Sequence, residues 1–514
     1  MRPSPILLVA GGALALLLSY PPFPLPFLSF FAITPAVLLV RQAVQEADSR
    51  RAFRWGWWYG LAANGTVLYW MIVALWHFTP FSALGYVATI VVLGVATGGL
   101  FWFIVRLRLV LPRIPLWVVF PVAWTALEWL IGHLGDAAFP WLGLGTSLAD
   151  APVLVQWADI VGARGVTLWV AWCNVMIVEM AIGERGPGSG LIRWRPAALV
   201  LATVALALVY GAWRMKTLPV REVGVVGLVQ PNEGFREKWA EGHEDAVVEK
   251  LLALSQRVIA LARPQLIVWP EAAIPGYLFQ HPAWEQAIGA LAGASHTPII
   301  SGGLYADATA PQPIPYYNAA LFFDSTGDRR THPAYGKHYL VPVVERVPFV
   351  PVKLFRSVPG LGRWSGGFAR GRDLPVYETH IGRFGVIICY ESAFEDLPRK
   401  YRRLGADFLV NVTNDAWFGR TAAPFQHASH LVLRAIETRM GVARAANSGV
   451  SEFVDPLGRA YAATQLDQDT VVADRLRTSE VTTLYVRWGD WIGMLAVAFT
   501  ILGAGQLFRQ RFLA

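Results

Sequence analysis

Cysteine and charge are both scarce in this sequence. The 514 residues include two cysteines, Cys173 and Cys389, and only 16% are Asp, Glu, Lys or Arg, whereas 54% are hydrophobic. Two cysteines cannot supply the disulfide framework of a small secreted domain, and so apolar a chain is not disordered. Because soluble proteins are roughly 45–50% apolar, a membrane protein is the first class to test.

The motifs that hold nucleotides and metals are also missing. The sequence contains no GxxxxGK[ST] or GxGxxG phosphate loop, no HExxH and no CxxC pair. The formal net charge of +8 comes partly from arginines between apolar runs, so it is weak evidence for nucleic-acid binding. We predict no metal, no cofactor and no nucleic-acid partner.

Long apolar runs are abundant instead. Eight of them approach the ~20 residues that a helix needs to cross a bilayer, and they lie at 6–20, 24–41, 56–75, 83–105, 116–132, 165–183, 196–213 and 488–507. The first run resembles a signal peptide, but no small-residue cleavage site follows it, so we interpret it as a retained span.

Arginine is concentrated in every second connection between these runs. Examples are Arg50 and Arg51 after the second run and Arg106 and Arg108 after the fourth, with Arg164 as the exception. Because positively charged connections stay in the cytoplasm, we predict that both termini are cytoplasmic and that the long segment between the last two runs lies on the outer face of the membrane. The predicted domains are 1–214 with seven transmembrane helices, 215–485 as the domain on the outer face, and 486–514 with the last helix and a short tail.

The long polar segment alternates short β-branched runs with amphipathic stretches, a pattern typical of an α/β layered domain. Strands are predicted at 222–230, 265–271, 297–305, 317–324, 384–391, 407–413, 440–446 and 450–455. Helices are predicted at 236–262, 282–294, 393–404 and 425–439.

Three residues at or just after strand ends could form a catalytic set. Glu271 ends LIVWPE, Lys337 lies in YGKHYLVP, and Cys389 lies near the end of FGVIICYE. A thiol attacks carbonyl carbon well as a thiolate, so it needs a base and a positive neighbour that lowers its pKa. Glutamate can take the proton, and lysine can stabilise both the thiolate and an oxyanion.

Structural roles compete with this hypothesis. Considered singly, Cys389 fits a buried core thiol, Glu271 a solvated acid and Lys337 a surface lysine. His332 and His338 flank the lysine, so a Cys-His pair is a second possible arrangement.

The same segments resemble the nitrilase superfamily of carbon–nitrogen hydrolases, whose Glu-Lys-Cys triad lies on an αββα sandwich. The resemblance is carried by WPEAAIP (269–275), YGKHYLVP (335–342) and GVIICYESAF (385–394), and it extends through NVTNDAWFG (411–419) and 426–449. With the apolar runs included, the whole chain resembles the bacterial apolipoprotein N-acyltransferase family. The implied fold is an α-helical membrane bundle of eight transmembrane helices plus an α/β nitrilase-like αββα sandwich.

The resemblance also implies a reaction and a site. Cys389 would be the nucleophile that carries the acyl group as a thioester, Glu271 the general base and acid, and Lys337 the transition-state stabiliser. A phospholipid would be the acyl donor and a diacylated apolipoprotein the acceptor, at the bacterial inner membrane. The residues implied to support binding or catalysis are Trp239, Glu345, Tyr390, Glu391, Asn414, Trp417 and Phe418, with Glu345 or Glu391 orienting the lysine.

Three further points remain open in the sequence. The apolar, proline-rich stretch 339–355 fits either a buried irregular segment or a loop that dips into the bilayer. Trp417 and Phe418 fit either an apolar lip or core packing, and Glu128 in the fifth span favours a helix-packing hydrogen bond over a functional role. A membrane-anchored amidase or an inactive lipid-binding scaffold would share much of this pattern.

Overall fold

A computed structural model describes residues 3–76, 83–182, 194–234, 237–240, 242–306, 314–346, 348–349 and 367–513. The chain forms two compact units. The first comprises residues 1–134, 139–217 and 488–514, and the second comprises residues 135–138 and 218–487.

The first unit is helical in its described part. Its α-helices are Pro5–Ser19, Ser29–Ala32, Thr34–Gln45, Ser49–Val67, Trp70–Trp76, Ala83–Val110, Leu116–Gly132, Ala158–Ile182, Trp194–Thr217 and Trp491–Leu513. Among the described residues, five helical segments are long and apolar enough to cross a membrane, and a sixth is obtained if the bent pair Ser49–Val67 and Trp70–Trp76 is one span. Pro5–Ser19 and Leu116–Gly132 are apolar but shorter, so the number eight stays a prediction.

Glu128 contributes to packing inside this helical unit, as the sequence favoured. Its carboxylate accepts hydrogen bonds from the Trp124 indole at 3.0 Å, the Leu144 amide at 3.0 Å and the Thr167 hydroxyl at 2.9 Å. It also pairs with Arg164 at 3.1 Å. The arginine that broke the charge pattern is therefore buried and matched with an acid, as buried charges must be.

The second unit is an αββα sandwich. Its strands are β1 (Arg221–Gln230), β2 (Leu266–Val268), β3 (Ile299–Ala306), β4 (Tyr316–Phe323), β5 (Tyr335–Gly336), β6 (Tyr377–Thr379), β7 (Gly382–Ile388), β8 (Phe408–Thr413), β9 (Gly441–Ala446), β10 (Glu452–Val454), β11 (Ala460–Tyr461) and β12 (Thr470–Thr478). In the described residues they form two six-stranded sheets, ordered β12-β1-β2-β3-β4-β5 and β11-β10-β9-β8-β7-β6. Helices Glu244–Ala262 and Pro282–Ser295 pack on the first sheet, Asp396–Arg403 and Ala423–Thr438 pack on the second, and Leu484–Trp488 follows.

Parallel strands at the centre of each sheet bring the predicted site residues to strand ends. β7, β8 and β9 are parallel, with Ile388 opposite Val412 and Thr413 opposite Ala446. Their residues are almost entirely buried, as expected for strands covered on both faces. The segments that follow them, including Cys389, therefore emerge at one edge, where α/β folds place their sites.

Several sequence expectations about this unit need correction. The strands β5, β6, β11 and β12 were not predicted, and the predicted strand 384–391 ends at Ile388, where the 3₁₀ turn Cys389–Ala393 begins. β12 was not predicted, because TVVADRLRT mixes charged and apolar residues, yet it pairs antiparallel with the whole length of β1. The predicted helix 236–262 begins only at Glu244, after a single 3₁₀ turn at Glu237–Trp239. Gly242 has φ +82°, which an α-helix does not accommodate.

Candidate active site

Glu271 lies just past the end of β2 in a tightly packed turn. Its amide donates to the Thr413 carbonyl at 3.4 Å, and its carboxylate accepts the Asn414 amide at 2.9 Å. A Cβ atom on Gly302 would lie 2.5 Å from the Glu271 Cα, so this approach of β3 requires glycine. The neighbouring Ala272 has φ +49°, a conformation that costs about 1–3 kcal/mol and is common at functional sites.

Lys337 is fully buried between two acids. Its Nζ lies 3.1 Å from Glu271 Oε1 and 3.0 Å from Glu345 Oε1. Burial by itself lowers the pKa of this lysine, but the two carboxylates outweigh it and hold the pKa well above the usual value. The two carboxylates therefore favour the ammonium form of Lys337. The structure places Glu345, and not Glu391, in contact with it.

Asn318 completes this cluster, and sequence reasoning missed it. Its amide Nδ2 donates at 2.7 Å to both Glu271 Oε1 and Glu345 Oε1, and its backbone carbonyl accepts the Lys337 amide at 2.8 Å. It lies inside β4, away from any motif, and nothing in the local sequence distinguishes it. Because it donates to both acids, Asn318 keeps two carboxylates near one ammonium without adding charge.

Cys389 is the first residue after β7 and is 2% exposed. Its φ of +50° is rare for a residue with a side chain, so Cys389 lies on a strained strand-to-3₁₀ turn. Burial and the nearby Glu271 raise the pKa of the thiol well above its usual value, while Lys337 acts in the opposite direction. This direction is opposite to the lowered pKa that the sequence analysis expected, and burial of Cys389 favours the protonated thiol.

Glu391 organises the backbone around Cys389. Its carboxylate accepts the Ile388 amide at 2.6 Å, the His338 amide at 2.6 Å, the Tyr339 amide at 3.1 Å and the Tyr335 hydroxyl at 2.7 Å. It thereby connects the segment after Lys337 to the turn that holds the thiol.

We expect Glu391 to make stability depend on pH between about 4.5 and about 7. Burial raises the pKa of this group from 4.5 to about 7, although its hydrogen bonds oppose the shift. Because the pKa is higher in the folded state than in the unfolded state, the contribution of Glu391 to the free energy of unfolding is complete below pH 4.5. This contribution of about 3 kcal/mol is lost as the pH rises through 7. Thermal unfolding of the native protein and of Glu391→Gln at several pH values tests this. The gap between the two midpoints should change across that window, and parallel curves would contradict the assignment.

The other predicted residues surround the cluster in different ways. Tyr390 is buried, and its hydroxyl donates to the Ala138 carbonyl at 2.7 Å. Asn414 contacts Glu271 through its backbone, while its side chain accepts from Asn447 at 3.0 Å. Phe418 is 6% exposed and packs against Trp417 and His427, which fits core packing. Trp239 is 45% exposed.

The alternative Cys-His pair finds no support in the described part of the chain. His332 Nε2 lies 3.3 Å from Asp324 Oδ2. His338 Nδ1 lies 2.9 Å from the Gly336 carbonyl oxygen. The charges that shift the pKa of Cys389 belong to Glu271, Lys337 and Asp415, so carboxylate and ammonium groups are its charged neighbours.

The apolar stretch 339–355 is described only in part, since residue 347 and residues 350–355 lie outside the described ranges. Within its described part, Val343 is 60% exposed and Phe349 is 77% exposed. Both residues have positive φ values, +69° and +60°. Large apolar side chains exposed on irregular backbone do not fit the buried alternative at these two positions.

Comparison with known proteins places this geometry in a family. The family model for carbon-nitrogen hydrolase matches residues 225–484, and the model for the apolipoprotein N-acyltransferase N-terminal domain matches residues 12–176. An apolipoprotein N-acyltransferase from Geobacter metallireducens is 32% identical over 98% of this chain and 95% of its own length. The chain belongs to the apolipoprotein N-acyltransferase family. This confirms the predicted family and the predicted enzyme class, an acyltransferase.

A second relative agrees with membership of the apolipoprotein N-acyltransferase family. A member from Gloeobacter violaceus is 31% identical over 99% of this chain and 96% of its own. Among solved structures, an amidase from Nesterenkonia sp. is 16% identical, with a TM-score of 0.37 over 53% of this chain and 95% of that chain.

Proposed function

We propose that this protein transfers a fatty acyl chain from a phospholipid, through a thioester on Cys389, to the α-amine of a diacylglyceryl-cysteine at the N-terminus of a lipoprotein. The observation that carries the proposal is a buried Lys337 ammonium paired with two carboxylates beside the only described thiol of the second unit. That set contains a nucleophile, a base and a fixed positive charge, the three groups that acyl transfer requires.

In the first step the Cys389 sulfur attacks the ester carbonyl of the phospholipid. Because the resting group is a buried thiol, Glu271 accepts its proton as the carbon–sulfur bond forms. The negative charge that develops on the carbonyl oxygen is stabilised by the Lys337 ammonium. When the carbon–oxygen bond breaks, Glu271 returns the proton to the departing oxygen, and a lysophospholipid leaves.

In the second step the neutral α-amine of the lipoprotein attacks the thioester carbonyl. Glu271 accepts a proton from the attacking nitrogen and passes it to the sulfur as the carbon–sulfur bond breaks, which restores the thiol of Cys389. Asn318 and Glu345 keep Lys337 in place through both steps. Trp239, Val343 and Phe349, which are exposed apolar side chains, are suited to contact acyl chains and exclude water from the thioester.

The proposed placement in the membrane follows the sequence pattern. Eight spans would put both termini in the cytoplasm and residues 215–485 in the periplasm of a bacterial inner membrane, with seven spans before that segment and one after it. The apolar helices of the described chain support membrane insertion. Both substrates are lipid-anchored, so an enzyme that binds them benefits from a site at the bilayer surface.

The test uses purified full-length protein in detergent with a phospholipid that carries a labelled acyl chain. We expect one acyl group per protein, released by hydroxylamine, with the modified peptide containing Cys389. Adding a diacylated lipopeptide should then discharge the label onto the peptide amine. Free fatty acid as the only product would instead identify a hydrolase. A folded protein that never forms the thioester would contradict the proposed mechanism altogether.

A further inference from the structure

A four-residue segment far from the catalytic motifs belongs to the same compact unit as the site. Residues Gly135–Ala138 cluster with the second unit, although the chain before and after them clusters with the first. In the sequence they follow helix Leu116–Gly132 and precede a 3₁₀ turn at Pro140. No motif in the sequence marks them.

The segment makes three polar contacts within the second unit. Asp136 Oδ2 lies 3.4 Å from Arg346 Nε, and the other carboxylate oxygen of Asp136 pairs with Arg370 Nη2. The Ala138 carbonyl accepts the Tyr390 hydroxyl at 2.7 Å. One carboxylate thus lies between two guanidinium groups, while a backbone carbonyl two residues later holds a buried tyrosine.

Each of these three partner residues is next in sequence to a residue of the candidate active site or to a residue that hydrogen-bonds to one. Arg346 directly follows Glu345, which contacts the Lys337 ammonium. Arg370 directly precedes Gly371, whose amide donates to the Lys337 carbonyl at 2.9 Å. Tyr390 directly follows Cys389. The contacts of this segment therefore restrain the backbone next to Glu345, Lys337 and Cys389.

The conformation of the short loop that carries Glu345 depends on Arg346 at its end. The Val343 amide donates to the Arg346 carbonyl at 2.8 Å, and the Glu345 amide donates to the Val341 carbonyl at 3.0 Å. A shift of Arg346 would therefore move Glu345, whose side-chain oxygen lies 3.0 Å from the lysine. Proton transfer and oxyanion stabilisation both tolerate little displacement.

The ionic cluster is more than an ordinary surface pair. The Asp136 side chain is 20% exposed, and those of Arg346 and Arg370 are 31% and 39% exposed. A single exposed pair contributes little, but one acid between two cations also offsets repulsion between those cations. Neutralising Asp136 would leave two like charges together beside the Glu345 loop.

We infer that Asp136 is a positioning residue for the acyl transfer: it acts through Arg346 and Arg370 to hold Glu345 and Lys337 in the geometry that catalysis requires. This inference rests on the proposed function, because its effect is on the formation of the Cys389 thioester. Asp136 itself touches no reacting atom.

The experiment measures single-turnover thioester formation in the full-length protein with the labelled phospholipid. For Asp136→Asn we expect the rate constant at saturating lipid to fall about tenfold, while the half-saturating lipid concentration changes less than twofold. Asp136→Glu keeps the charge and should recover most of the rate.

The matched control is Glu222→Gln, which removes an acid that pairs with Arg475 and Arg477 at 3.3 and 3.8 Å. That acid lies in β1, away from the site, and its loss should leave the rate unchanged.

Several outcomes would overturn the inference. Asp136→Asn could react as fast as Glu222→Gln, or Asp136→Glu could be as slow as Asp136→Asn. If Asp136→Asn changed only the half-saturating lipid concentration and not the rate constant, Arg346 and Arg370 would instead bind the phosphate of the lipid. Should Asp136→Asn fail to fold, Arg370→Gln removes the same ion pair from the other side, and an unchanged rate there is equally decisive. The native protein distinguishes a failure of the proposed function from a failure of the inference about Asp136. If the native protein forms no thioester, the proposed function is contradicted and the role of Asp136 is not.

Discussion

Replacing Cys389 with serine should abolish both the acyl-enzyme and the N-acylated product. The thiol is 2% exposed and lies on a left-handed turn beside Glu271 and Lys337, where the smaller and less acidic hydroxyl is a poor substitute for sulfur. We expect the rate of lipopeptide acylation to fall by about a thousandfold or more. Intact-protein mass spectrometry after incubation with phospholipid should show no added acyl mass.

The chain provides a matched control for this prediction. Cys173 is the other cysteine, and it is buried in helix Ala158–Ile182 of the first unit. Cys173→Ala should retain the acyl mass and most of the activity. If Cys389→Ser still formed a hydroxylamine-sensitive adduct, or if Cys173→Ala lost the adduct while folded, the nucleophile would be misassigned.

Replacing Lys337 with methionine should cost both activity and stability. The side chain is fully buried, and its ammonium lies 3.1 Å from Glu271 and 3.0 Å from Glu345. Methionine preserves much of the volume but removes the ammonium group that both buried carboxylates contact. Breaking a buried ion pair in this way costs about 3–5 kcal/mol. We expect acylation to fall by about a thousandfold or more, together with a lower midpoint of thermal unfolding.

A second substitution separates the two effects of this change. Glu345→Gln in the Lys337→Met background removes one of the uncompensated charges, so it should recover part of the lost thermal stability. It should recover no acylation, because the ammonium is still missing. Recovered activity in the double variant would show that Lys337 serves only to balance charge. Unchanged stability in Lys337→Met would contradict the buried pairs themselves.

The family could be predicted from the sequence because its motifs are short runs of consecutive residues. Glu271, Lys337 and Cys389 lie in three short segments that resemble one superfamily, and the comparison across the full chain confirms the family. Composition and spacing alone left each residue with an ordinary structural explanation. Most strands were also predictable, since β-branched runs such as FLVNVT fill buried strands.

The parts that sequence reasoning missed depend on contacts between distant positions. Asn318 is inconspicuous in β4, yet its amide contacts Glu271 and Glu345, which are 47 and 27 positions away. β12 joins the sheet only because β1 offers it an edge. The thiol pKa was expected to fall because a lysine was near, but burial of Cys389 has the larger effect.

The sequence by itself determined the apolar character of the chain, the α/β class of its second half and the identities of the proposed nucleophile, base and cation, because hydrophobic runs and motifs are written in consecutive residues. Only the tertiary structure decided which acid holds Lys337, what Glu391 binds and why Asp136 lies beside two arginines. Those assignments depend on distances and burial, and neither exists until strands from separate parts of the chain are packed together.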